Sequence, residues 1–139
     1  ILKKISKVFL NKKQEKEISK KYVDELKIKV LNDEQYSRML SGGNQQKVVI
    51  SKILTTEPKV VILDEPTRGV DAKAREDVFQ IVRNLKKKGV AVILISSDLE
   101  EVINNSDRII VIHSGEINLE LDKKDFSMEI ITQASFGVI

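Results

Sequence analysis

Val60-Val61-Ile62-Leu63-Asp64-Glu65-Pro66-Thr67 is the stretch on which the fold turns. Four consecutive apolar residues, three of them β-branched, form a short strand. Two carboxylates follow at once, and Pro66, with no backbone N–H, stops the strand and turns the chain away. Val90–Ile95 and Ile109–Ile112 repeat the short, continuous, β-branched pattern. Between the first two runs, residues Ala72 to Lys88 carry Val78, Val82 and Leu85 on one helical face. Gly89 ends that helix, and Lys86, Lys87 and Lys88 fill its last turn, where cations meet the helix dipole favourably. Short apolar strands alternating with helices predict an α/β fold with a mostly parallel sheet whose strands are buried on both faces.

Working outward, Ser41-Gly42-Gly43 precedes a helix that runs to about Thr55, with Val49/Ile53 and Ile50/Leu54 as i, i+4 pairs; Pro58 closes it. Residues 1–40 read as helical, with Ile1, Ile5, Val8 and Phe9 at helical spacing, then Ile18, Tyr22, Leu26 and Val30, and a break at Asn11. Beyond the third strand a hairpin turns through Ser114-Gly115, and a C-terminal helix spans about Ser127 to Ser135.

Composition narrows the function classes. The chain has 139 residues, 41% hydrophobic and 32% charged, enough for one domain with a real core. Its longest apolar run is far short of the ~18 residues needed to cross a bilayer. Without cysteine and with His113 as its one histidine, it has no thiolate or histidine cluster for a metal, so a cation would sit on oxygen ligands. The net charge of +3 hides an asymmetry: residues 1–40 hold ten Lys and one Arg against six Asp and Glu. Phe9, Tyr22 and Tyr36 are too widely spaced to form a base-stacking surface, so the basic segment reads as a solvated helical face.

Two segments carry chemistry. In Leu40-Ser41-Gly42-Gly43-Asn44-Gln45-Gln46-Lys47, adjacent glycines let backbone approach a ligand closely, and the helix start offers free N–H groups to a phosphate. The same residues also read as a plain cap and turn. At the end of the Val60–Leu63 strand, Asp64 is placed to hold magnesium through water and Glu65 to orient or deprotonate an attacking water. The pair also reads as two exposed acids.

LSGGNQQK followed by ILDEPT about twenty residues later resembles the ABC ATPase family, and Arg68-Gly69-Val70-Asp71 falls at the D-loop of that family. The resemblance extends from about Tyr22 onward. It is closest to the second nucleotide-binding domain of simple-sugar importers of the ribose, galactose and xylose type, through LSGGNQQKVVI, LDEPTRGVD and ISSDLEEV…SDRIIVIHSGEI. It implies a partial P-loop ATPase core over residues 41–139 and part of the helical subdomain over residues 1–40. It implies ATP and Mg2+ as ligands, with Glu65 catalytic, Asp64 on the metal, and Ser41, Gly42, Gly43, Asn44, Gln45, Asp71 and Ser97 on the nucleotide side. The implied partners are a second ATPase domain, transmembrane permease subunits and, indirectly, an external solute-binding protein. The implied location is the cytoplasmic face of the cell membrane, with no nucleic acid.

Departures from the family pattern sharpen this expectation. Asn44 stands where the family usually has Gln, as in the importer subgroup. Ser97 stands where most members place a histidine against the γ-phosphate; with Glu100 three residues on, it matches the S-x-x-E capping box of the next helix. His113, in the later hairpin, reads as an ordinary surface residue. Glu65 without that histidine predicts a degenerate site on this domain's own side. None of the six glycines sits in a G-x-x-x-x-G-K-S/T phosphate loop, so these residues are expected to form an excised piece that is inactive alone. The competing readings are an ABC-type ATPase of DNA maintenance, one acting on the ribosome, and a non-catalytic interaction module. Residues 1–40 lack the sustained heptads that the DNA class places ahead of its signature.

Overall fold

The computed structural model describes residues 11–32 and 34–139, so the helix expected around Ile1 to Phe9 lies outside the described residues. The described residues form two compact units, one of those up to 61 together with 66–93, the other of residues 62–65 and 94–139. Among the described residues no helix is long and apolar enough to cross a membrane.

In the first unit, α1 (Lys12–Glu25) starts where Asn11 accepts a hydrogen bond from the Gln14 N–H at 3.2 Å. Of the break between two helices expected at Asn11, the described residues show the start of the second. The helix does not reach Val30 as the spacing suggested. Lys27 takes φ 50°, and the Ile28 N–H reaches back to the Val23 carbonyl at 2.9 Å, which closes the helix end. Side chains then hold the backbone away from helix: Gln35 accepts from the Leu31 N–H, and Asn32 accepts from the Glu34 N–H. Only a 3₁₀ turn, Ser37–Met39, interrupts the loop that leads into α2 (Gly42–Leu54).

Helix α2 buries Gly43, Lys47, Ile50 and Leu54, a single stripe at helical spacing. Of the two apolar pairs expected there, Ile50/Leu54 faces inward and Val49 is exposed. Asp71 caps α3 (Ala72–Lys87), whose inward face carries Ala74, Val78, Phe79, Ile81, Val82 and Leu85. Gly89, with φ 78°, ends it as expected. The two helices meet at their first turns: a Cβ placed on Gly43 would lie 2.3 Å from the Ala74 Cβ. One turn further along, the buried Lys47 ammonium donates to Asp77 at 2.6 Å and to the Lys27 carbonyl at 3.4 Å.

Strands β1 (Val60–Asp64) and β2 (Ala91–Ile95) pair with each other. The Ala91 N–H donates to the Lys59 carbonyl at one end and the Glu65 N–H to the Ile95 carbonyl at the other, so the strands run parallel. The expected burial of both faces does not hold. Val61 and Leu63 are buried, whereas Val60 and Ile62 are 52% and 60% exposed, as are about half of Ile93 and Ile95. Continuous apolar sequence marks both faces as fit for burial, but the described residues cover only one.

In the second unit, α4 (Leu99–Asn105) leads to the antiparallel hairpin of β3 (Arg108–His113) and β4 (Glu116–Asp122). Its turn is Ser114-Gly115, both at positive φ, as the sequence suggested. Helix α5 (Met128–Ser135), capped by Ser127, packs Ile131 and Ala134 against Ile109 and Val111. His113, expected as an ordinary surface residue, is part-exposed. Its Nδ1 lies 3.0 Å from the Ser135 carbonyl, and its ring fills the space beside Gly137.

Two stability predictions follow from the α2–α3 contact. Gly43→Ala should lower unfolding free energy by about 1–3 kcal/mol, because neither backbone can yield without moving a helix. Ala74→Gly, costing about 1 kcal/mol in helix propensity, should be less than additive with it in denaturant titrations; full additivity would place the clash elsewhere. Asp77→Ala, which strips a buried ammonium of its carboxylate, should cost about 1–3 kcal/mol. Lys47→Met, which removes the charge and keeps the packing, should cost less; the reverse order in the same titrations would refute the account.

Candidate functional site

The site residues fall into two groups, one in each unit. In the first, Ser41 sits at the N-cap of α2 with φ −61° and ψ 155°, and its carbonyl accepts the first helical hydrogen bond, from Gln45, at 2.9 Å. Its hydroxyl makes no cap hydrogen bond. Instead Ser41 Oγ accepts from Asn44 Nδ2 at 3.0 Å, while Asn44 Oδ1 accepts from the Lys29 N–H at 3.0 Å. Gln45 turns its amide back to the Leu40 carbonyl at 2.8 Å. Both amides are therefore engaged within their own loop, a role that residue type alone did not reveal.

The paired glycines have different reasons to be glycine. Gly43 is buried, and its missing Cβ is what lets α3 approach. Gly42 is exposed, and a Cβ there would meet nothing closer than the Gly69 carbonyl at 3.9 Å. The open space at the start of α2 thus lies at Gly42, where an approaching anion finds exposed backbone and the positive end of the helix. In the same unit Gly69 turns the chain at φ 74°, and Asp71 Oδ1 accepts from the Ala74 N–H at 2.9 Å. Asp71 is a helix cap in this structure, which fixes the direction in which α3 leaves the turn.

In the second group, Asp64 ends β1 with its side chain exposed. Glu65 takes φ 45°, the left-handed region that a side chain rarely adopts. Two bonds hold it there. Its N–H donates to the Ile95 carbonyl, and its Oε1 accepts from the Ser97 N–H at 3.0 Å. Glu65 and Ser97 therefore meet through the Ser97 backbone N–H, a contact the sequence motifs did not indicate.

The capping box assigned to Ser97 and Glu100 is displaced by one residue. Asp98 is the N-cap of α4 and accepts from the N–H groups of Glu100 and Glu101 at 3.0 and 3.2 Å. The spacing fits Asp98-x-x-Glu101 equally well, so sequence could not separate the two. Ser96 and Glu101 escaped notice. Ser96 Oγ accepts from the Asp98 N–H and donates to the buried Glu101 carboxylate at 3.0 Å, bracing the loop that presents the Ser97 N–H. Among the described residues no three acidic or histidine side chains cluster into a metal site.

Residues 2–68 match the family described as ABC transporter. The ribose import ATP-binding protein RbsA of Caldanaerobacter subterraneus is 44% identical over 138 residues, which is 98% of this chain and 28% of that protein. The xylose import ATP-binding protein XylG of Thermoanaerobacter pseudethanolicus is 50% identical over 119 residues, 86% of this chain and 24% of the relative. The chain thus spans about a quarter of the length of these relatives. A nucleotide-free ATP-binding cassette from an ABC transporter superposes with a TM-score of 0.74 at 32% identity, covering 92% of this chain and 49% of that one. A glycine-led helix start, an acid-tipped parallel strand and these matches along nearly the whole chain have one common account: the chain is similar to ATP-binding proteins of the ABC transporter family, whose family pattern residues 2–68 match.

Proposed function

We propose that the chain is part of the ATP-hydrolysing subunit of an importer for a small sugar or similar polar solute. The observation that carries this reading is the 44% and 50% identity to ribose and xylose import ATP-binding proteins over most of the chain. Residues 41–139 are then part of the ATPase core, and residues 1–40 part of a helical subdomain facing the permease. The subunit works at the cytoplasmic face of the membrane with a second ATPase domain and transmembrane permease subunits. An external binding protein delivers the solute, and no nucleic acid takes part.

In this reading the start of α2 closes over ATP held by the second ATPase domain. Ser41 and the backbone of Gly42 donate to phosphate oxygens, Gly43 keeps α2 in place, and Asn44 and Gln45 shape the loop around them. Asp71 sets the turn beside them. Glu65, with Ser97 holding its carboxylate, orients the attacking water at the domain's own nucleotide and accepts its proton. Asp64 is the residue that would hold Mg2+, a hard cation suited to a carboxylate oxygen. That donor set suits a cation that arrives with the nucleotide, since no all-protein cage is present among the described residues. Bound there, Mg2+ would neutralise charge on the phosphates.

The two groups should differ in weight. A carboxylate at Gly42 would fill the open space and repel phosphate, so Gly42→Asp in the intact transporter should lower solute-coupled ATP hydrolysis by about a hundredfold or more. Glu65→Gln keeps an acceptor for the Ser97 N–H and acts at a site without the usual histidine, so it should lower turnover by only about tenfold. Equal losses would refute the asymmetry. The 139 residues alone contain no G-x-x-x-x-G-K-S/T loop. Calorimetry on them should therefore show no ATP binding in the low micromolar range, and a clear isotherm there would overturn this part of the proposal.

A further inference from the structure

We infer that Asn44 is a positioning residue that turns the Ser41 hydroxyl outward as a hydrogen-bond donor and ties it to the loop behind α1. The inference rests on the reading that Ser41 donates to a nucleotide phosphate. Its own ground is the amide's two contacts. The Lys29 N–H can only donate, so the Asn44 atom facing it at 3.0 Å must be the carbonyl oxygen. That fixes the orientation of the amide. Nδ2 then faces Ser41 Oγ at 3.0 Å, and an amide nitrogen can only donate. Ser41 Oγ is therefore the acceptor of that bond.

A hydroxyl has one hydrogen. Because the oxygen is occupied as acceptor by Asn44, the Ser41 hydrogen is directed away from Asn44, and no described residue accepts it. Ser41 is exposed and does not cap its own helix, although serine at this position ordinarily does. The result is a donor set in advance beside the exposed Gly42 backbone, with little reorganisation needed when an anion arrives. The second contact matters as well. Lys29 lies in the loop between α1 and the 3₁₀ turn, so a shift of that loop would release the Asn44 carbonyl and let the amide rotate. The hydroxyl would then lose its fixed direction.

The test is a double-mutant cycle in the intact transporter: Ser41→Ala, Asn44→Ala and both together, with kcat and KM for ATP and the thermal midpoint measured for each. If Asn44 acts through Ser41, each single variant lowers kcat by about tenfold with KM changed less than about threefold, and the double variant is no worse than Ser41→Ala. Losses that multiply would overturn the inference, since Asn44 would then act independently of Ser41. Full activity in Ser41→Ala would instead sink the phosphate reading on which the inference rests. Asn44→Asp decides the matter should Asn44→Ala fail to fold. It still accepts from the Lys29 N–H but takes the Ser41 proton inward, so it should lose kcat to a similar degree while keeping its thermal midpoint. In the Ser41→Ala background that loss should vanish; its persistence would point to a direct charge effect and overturn the positioning role.

Discussion

Helices α2 and α3 approach at Gly43 and Ala74 so closely that no Cβ fits on the glycine. Most of what the first unit offers chemically depends on that approach. The contact sits on the first turn of both helices, so it sets the two N-termini side by side, Ser41 at one and Asp71 at the other. The Lys47–Asp77 ion pair repeats the constraint one turn on, where Lys47 is almost wholly buried and also bonds the carbonyl of Lys27. Two fixed points separated by a helical turn leave little freedom for rolling or sliding. A glycine motif that looks like a ligand cradle is thus half cradle and half packing: the exposed Gly42 faces solvent, and Gly43 holds the geometry.

The second unit solves its problem with hydrogen bonds instead of a close contact. Glu65 stands in a backbone region that costs of order 1–3 kcal/mol for a residue with a side chain. It stays there because its amide joins the end of β2 and its carboxylate takes the Ser97 N–H. The loop carrying that N–H is in turn held by Ser96, Asp98 and Glu101, which satisfy one another and the first turn of α4. The backbone strain of Glu65 is thus held by its own amide, and the direction of its carboxylate by the single Ser97 N–H.

Much of this was legible beforehand, for identifiable reasons. Helix α3 announced itself by Val78, Val82 and Leu85 at one face and by Gly89 at its end, and the Ser114-Gly115 turn by residue type. Both are local signals, and local energetics decide them. The errors share the opposite character. Helix α1 closes at Lys27 and Ile28, and Gln35 and Asn32 take backbone N–H groups further on, a competition that apolar periodicity does not register. The cap of α4 is Asp98, not Ser97, because two overlapping S/D-x-x-E frames differ by one residue and only the path out of β2 selects between them. The exposed faces of Val60 and Ile62 were invisible for another reason: apolar sequence states what a strand can bury against, not whether the partner is in the same stretch of chain.

The site residues show the same division at finer scale. Motif and spacing single out Ser41, Gly42, Asp64 and Glu65 as candidates, but not what Asn44 and Gln45 do with their amides. An uncapped helix start forgoes roughly 1 kcal/mol that a serine side chain could supply. In this loop the deficit is offset by bonds the serine does not make itself: Gln45 to the Leu40 carbonyl, and Asn44 to both Ser41 and Lys29. Stability is thereby moved from the first-turn N–H groups to the flanking side chains, leaving the exposed end of α2 available to a ligand. A longer amide at position 44 would have to fold back to make the same two contacts. Asparagine reaches both Lys29 and Ser41 in one plane, which gives a physical reason for the shorter residue at this place in the motif.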